Sequence, residues 1–255
     1  MKTKALLLSV IACLLPLTAS ADNHGDRLIL TDVWVVVPKQ GMEAQFEEAA
    51  SAHMAYRAEQ GESRSWEAYN AIIGDNVQAV MFRACCFDWP DQDAYVEAMD
   101  GSEIQAHWAD NVHQYVDDYH HYIEEYDYEN SYWPESDDRG PYFGVTTWTW
   151  KEGAGPGPEA ARTKLSQVAL ENGWGEAGNE WLWHKRIGGP PKLMIVTGFE
   201  SYADMAPPEQ SFAEFLSEHM DEDEMNDLFT TFGSGFSSSE YTVWRLNENL
   251  STPGD

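Results

Sequence analysis

Apolar positions along the chain fall into strand- and helix-sized blocks that follow one another in the same order twice. The β-branched run at residues 30–37, LTDVWVVV, predicts a mostly buried strand. Pro38 and Gly41 then turn the chain. Over residues 42–60, Met42, Phe46, Ala49, Ala50 and His53 share one stripe at roughly 100° per residue, with Arg57 one turn further on, which predicts an amphipathic helix. Residues 66–73 and 77–87 read as two strands around the turn Gly74-Asp75-Asn76. Asp88 with Asp91 three places on has the form of a capped helix start. A long helical region is expected from there to about residue 124, and a strand over 126–133 closes the unit.

Residues 134–141, PESDDRGP, are polar and bracketed by prolines, the composition of a linker. The order then recurs: a strand over 142–151, a helix over 158–172, strands over 179–187 and 192–200, helical segments within 209–232, and a strand over 240–246. The stretch VMFRACCFDWPD at 80–91 returns as LMIVTGFESYAD at 193–204, with Asp88 and Ser201 as matching caps. Other landmarks recur at nearly the same offset of about 113 residues, a spacing that coincidence does not readily produce. The organisation expected is therefore a first unit at 26–133, a linker at 134–141, a second unit at 142–249 and a tail at 250–255.

A β-α-β-β-α-β unit makes a four-stranded antiparallel sheet with both helices on one face, leaving an apolar face that a second unit can cover. The fold class expected is α+β, two tandem ferredoxin-like units pairing their sheets as an intrachain α/β barrel. The segment Val33-Trp34-Val35-Val36-Val37-Pro38 to Gly41-Met42-Glu43-Ala44-Gln45-Phe46, with the strand-to-capped-helix joint at 80–91, resembles the dimeric α/β-barrel superfamily that contains the antibiotic biosynthesis monooxygenases. That resemblance implies a ligand pocket between helices and sheet. It leaves the reaction open, because the superfamily includes cofactor-free monooxygenases, haem-degrading enzymes, isomerases and members without known activity.

The amino end reads as a signal peptide over residues 1–21, with Lys2 and Lys4, an apolar run and the cleavage pattern Ala19-Ser20-Ala21. A competing lipobox reading through Cys13 is disfavoured because the residues after it stay apolar. The expected location is periplasmic or secreted. Forty-four acidic residues stand against 15 basic ones, a net charge of −29 that becomes about −31 once the leader is removed. Such a charge repels phosphates and anionic lipid heads, so neither nucleic acid nor a membrane surface is an expected partner. It suits solubility in a saline setting, and 43% apolar residues leave ample material for a core. Cys85 and Cys86 are neighbours on a predicted strand, where alternation points them to opposite faces and favours two separate thiols over a vicinal disulfide.

Chemistry is sought where the two units differ. Aligned by their stripes, Phe46, Ala50, His53 and Arg57 match Ala161, Leu165, Val168 and Asn172, so only the first unit carries an imidazole and a guanidinium on that face. His53 and Arg57 are the candidate catalytic and ligand-binding pair, with a hydrogen-bonded core histidine as the structural alternative. His184, in phase with Leu182 and Arg186, and His219, among Phe212, Phe215 and Leu216, are lesser ligand-binding candidates. His113, Asp117, His120 and His121 read as the solvated face of a helix, and no metal motif is present. Residues 221–224, DEDE, lack the glycine turn of a calcium loop and read as a charged loop or helix face. Two readings follow. One is a binding or purely structural protein that needs no cofactor and holds a small apolar or aromatic molecule under the helices of the first unit. The other is a cofactor-free monooxygenase-like or haem-associated oxidoreductase using His53. Internal pairing makes a monomer sufficient.

Overall fold

The computed structural model describes residues 28–134 and 140–253. The leader at 1–21, Cys13, most of the linker and the end of the tail lie outside the described residues. The strands are β1 (Leu30–Pro38), β2 (Glu67–Ile73), β3 (Val80–Phe87), β4 (Val116–Tyr132), β5 (Tyr142–Trp150), β6 (Trp181–Ile187), β7 (Lys192–Phe199) and β8 (Phe236–Leu246). The helices are α1 (Glu43–Glu59), α2 (Trp89–Met99), α3 (Glu103–Asn111), α4 (Gly157–Glu171), α5 (Phe212–His219) and α6 (Glu222–Ser234).

The strands form a closed antiparallel barrel in the order β1-β3-β2-β8-β5-β7-β6-β4. Two seams, β2 with β8 and β4 with β6, join the chain's first half to its second by main-chain hydrogen bonds. The halves therefore meet edge to edge as well as face to face. Side chains alternate: Val33, Val35, Tyr69 and Met81 point inward and pack with Phe143 and Trp244, whereas Val36, Ala68, Val80 and Phe82 point outward against Phe46, Ala50 and Met54 of α1. In the second half α4, α5 and α6 cover the corresponding outer face through Leu165, Val168, Phe215, Leu216 and Met225.

Local chemistry sets the helix boundaries. Asp88 accepts from Asp91 N at 2.8 Å and Asp91 answers on the Asp88 amide, a complete capping box that starts α2. The matching Ser201 instead donates to Asp204 at 2.8 Å and opens only a short 3-10 turn at Ala203–Met205, while the α-helical caps of this half are Ser211 and Asp221. The acidic run at 221–224 is thus a helix N-terminus, where carboxylates favour the exposed amides.

The helical region of the first half ends at Asn111, and residues 116–124 are strand. β4 pairs with β1 on one edge and β6 on the other, and these pairings hold its tyrosines in a sheet despite their three- and four-residue spacing. Cys85 and Cys86 are joined as a disulfide, contrary to the alternation argument. The register shifts there: Thr31 faces Cys85 and Leu30 faces Phe87, so Cys86 is the extra residue of a bulge and strict alternation lapses.

Candidate functional site

A cavity of about 920 Å³ lies between the outer face of β1, β3 and β4 and the helices α1 to α3. Trp34, Val36, Phe82, Trp108 and Tyr119 supply apolar wall; Asp32, Arg57, His113 and His121 are among its polar groups, and Asp93, Glu97 and Asp100 of the α2 region add carboxylates.

The polar centre is a line of three side chains. Asp32, on the outward phase of β1, is buried to 3% exposure. One of its oxygens accepts from Arg64 Nη1 at 2.9 Å and the other faces His121 Nε2 at 2.8 Å. Arg64 is held flat between Phe87 and Tyr95, its guanidinium carbon 4.0 and 3.8 Å from the ring centres, and donates to Gln92 at 2.7 Å. His121, paired across the sheet with Trp34, stacks on that indole with ring centres 4.0 Å apart. The carboxylate accepts a hydrogen bond from Nε2–H, the tautomer that leaves the lone pair of the imidazole on Nδ1. Its side chain is 40% exposed, enough for a bound molecule to reach.

A second network fixes Arg57. Its Nε and Nη2 donate to Glu62, Nη2 also donates to Tyr95 at 2.9 Å, and Trp66 and Tyr95 donate to the same carboxylate at 3.1 and 2.6 Å. Burial drives the Tyr95 hydroxyl far above the ordinary phenol range. On the opposite wall Trp108 donates to Tyr119 at 3.0 Å, and the Tyr119 hydroxyl reaches His113 Nδ1 at 3.0 Å.

His53 sits behind this surface with no exposure and is not part of the cavity wall. Arg57 Nη1 lies 3.1 Å from its Nε2, and since a guanidinium has only N–H to offer, that nitrogen carries the lone pair. The Nδ1 proton is then directed to His107 Nδ1, also at 3.1 Å. Burial, with the charges of Arg57 and His107, lowers the imidazole to about 3. His53 is accordingly a neutral core group that steadies Arg57, and Arg57 is the member of the pair that meets the cavity.

His184 lies inside the barrel, away from both helical layers. Its Nδ1 is 2.9 Å from Glu124, which also accepts from Arg83 at 3.1 Å. Burial opposes the Glu124 charge, but Arg83 and the His184 hydrogen bond outweigh it and bring the carboxyl down to about 2. His219 is exposed on α5, its ring centre 4.6 Å from that of Phe215 with the planes tilted, and it lines neither of the two cavities described. His113, Asp117, His120 and His121 are not one helix face: His113 belongs to a 3-10 turn and the other three to β4. The sequence pattern singles out neither Asp32 nor Arg64, and it places His121 on a solvated helix face, whereas β4 brings it to the cavity. The signal that would have found them is a carboxylate at an outward position of an otherwise apolar strand.

Neither a protein-family model nor a curated protein sequence matches the chain. Solved structures do. A provisionally assigned monooxygenase from Lactobacillus acidophilus NCFM superposes with a TM-score of 0.50 at 6% identity, over 86% of this chain and 94% of the other. An anthrone oxidase-like protein superposes with a TM-score of 0.51 at 10% identity, over 90% and 95%. The chain has the fold of the dimeric α/β barrels. A haem-binding protein from Thermus thermophilus also aligns, at 10% identity over 87% and 92%, but its TM-score of 0.44 adds nothing to that conclusion. Within the dimeric α/β barrels the space between sheet and helices is where this chain has both of its large cavities.

Proposed function

We propose that the first cavity binds a planar, largely apolar aromatic molecule bearing a hydroxyl group, and that His121, oriented by Asp32, accepts its proton. The observation that carries this reading is the buried Asp32 carboxylate shared between Arg64 and His121 beside an aromatic wall. A carboxylate that fixes the tautomer of an imidazole reached by ligand is the arrangement a general base requires. Trp34 and Trp108 contribute aromatic surface to the wall, and Arg57, although paired with Glu62, places N–H donors beside the same cavity.

A second reading is favoured by the same pair. A phenol or enol deprotonated in a water-poor pocket becomes electron-rich enough to react with dioxygen without a metal. One of the proteins that share the fold is named for anthrone, a planar tricyclic ketone of the class this cavity suits. In that reaction one O2 converts the ring CH2 to a carbonyl and one water leaves. Haem ligated by His53 fits poorly, because both ring nitrogens are already engaged by Arg57 and His107. We further propose that the two halves are copies of one ferredoxin-like unit, since β4-β1-β3-β2 and β8-β5-β7-β6 repeat one strand order. The chain is exported and works as a monomer, a reading supported by its leader-like amino end and by a barrel that closes within one chain.

The test is titration with anthrone of the chain carrying Ala169→Phe, which obstructs the cavity of the second half, following tryptophan fluorescence and dissolved oxygen in parallel. Saturable quenching with oxygen uptake above the uncatalysed rate, lost in Asp32→Asn, supports the oxidase reading. Quenching without uptake leaves binding alone, and absence of both overturns the proposal.

A further inference from the structure

The second half has its own cavity, about 900 Å³, between the outer face of β5 to β7 and the helices α4 to α6. Its wall is more aromatic than that of the first, with Trp148, Trp174, Trp181, Trp183 and Phe232 among the residues that line it. The one guanidinium on this wall among the described residues is Arg162, on α4, and its burial is unusual: 2% exposed, among the largest fully buried side chains. Its Nη2 donates to Asp127 at 2.5 Å and to Glu159 at 2.9 Å, and its plane lies over Trp183, 5.1 Å from the ring centre. Nε and Nη1 have no protein partner among the described residues. A buried N–H left unpaired costs about 1–3 kcal/mol, so an acceptor that enters this cavity and displaces the side chains now closing over Nε and Nη1 recovers free energy that the fold has forgone.

The charge around Arg162 says what kind of acceptor fits. Lys185 Nζ stands 2.9 Å from the same Glu159 oxygen, so two cations face two carboxylates and the group is already balanced. A ligand carboxylate adds an uncompensated anion to a buried site in a protein with a net charge of −29. A neutral oxygen satisfies the donor without that penalty. We propose that the second cavity is a binding site for a neutral planar aromatic molecule whose carbonyl oxygen accepts a hydrogen bond from Arg162. It is separate from the first cavity and from the dyad there, and the two bind independently.

Three probes of nearly equal shape distinguish the possibilities: 2-acetylnaphthalene, 2-ethylnaphthalene and 2-naphthoate. They are titrated by tryptophan fluorescence against the mature chain carrying Ala109→Trp, which obstructs the first cavity. The ketone should bind about tenfold more tightly than the hydrocarbon, the value of one recovered hydrogen bond, and more tightly than the carboxylate. Ala169→Phe, two turns along α4 from Arg162, fills the second cavity and should abolish binding. Arg162→Met should bring the ketone down to the hydrocarbon's affinity. The ranking of the three probes is read on unaltered Arg162, so it stands even where Arg162→Met does not fold. Equal affinities for ketone and hydrocarbon, a preference for the carboxylate, or binding that survives Ala169→Phe each overturn the proposal.

Discussion

At the scale of single residues, Asp32 bears on both function and stability, and His53 on stability alone. Asp32→Asn puts an amide donor where His121 needs an acceptor, so the imidazole adopts the wrong tautomer. Any turnover should fall by about 10²-fold or more, and the unfolding temperature should fall with it because Arg64 loses its buried counter-charge, as steady-state rates and thermal unfolding together will show. His53 touches no ligand. Its folded value of about 3 lies below the usual 6.5, so the unfolded chain binds the extra proton between those values and stability rises with pH across that window. As pH falls from 6.5 toward 3 that stabilisation is lost, together with a contribution of the same sign from His184, which burial also lowers. Glu124, held near 2, adds its loss below about 4.5. Urea unfolding between about pH 4 and 7 should therefore give a free energy that declines on acidification, with a shallower slope in His53→Gln. The difference between the units exposed His53 and Arg57 in the sequence. It did not expose Asp32, because one carboxylate within LTDVWVVV does not interrupt the apolar run of a mostly buried strand, and only the folded sheet brings it to the cavity.

At the scale of elements, caps and strand faces explain what was legible. The strands β1, β2, β3, β6 and β7 and the helices α1 and α4 lie within a few residues of the ranges their apolar periodicity predicts. β4 was illegible for a physical reason. Tyr115, Tyr119 and Tyr122 recur at helical spacing, and the polar pairs between them, Asp117-Asp118 and His120-His121, break the alternation that marks a half-buried strand. Only its pairing with β1 and β6 settles its conformation, and those partners are remote in sequence. His121 went with it, since on a helix it points to water and on β4 it stacks on Trp34. The two capping sequences also differ in consequence. Asp88→Ala should lower stability by about 1 kcal/mol, because it removes the bond to the Asp91 amide. Ser201→Ala, which caps no α-helix, should change it by no more than a few tenths, and denaturant midpoints at constant m-value will compare them.

At the scale of the whole molecule, closure and charge dominate. The barrel closes without a free sheet edge among the described residues, and residues from opposite ends of the chain are tied beside its β2–β8 seam: Asn247 N donates to Ala68 O at 2.8 Å and Thr252 N to Trp66 O at 2.7 Å. These bonds anchor Trp66, which holds Glu62 and through it Arg57, so the carboxyl end supports the first cavity. The net charge of −29 works against this compactness through self-repulsion, and raising NaCl from about 0.1 M to about 1 M should raise the unfolding temperature by screening it. A constant or falling midpoint in differential scanning calorimetry contradicts that.

The most direct test of the central claim is a titration with 4-nitrophenol, whose phenolate absorbs visible light and whose neutral form does not. Saturable binding is predicted, with the bound phenol retaining the phenolate band at a pH where the free molecule has begun to lose it. Asp32→Asn should remove that band, Ala109→Trp should weaken binding, and Ala169→Phe should leave both unchanged. No saturable binding, or a bound spectrum identical in the wild type and Asp32→Asn, contradicts the account.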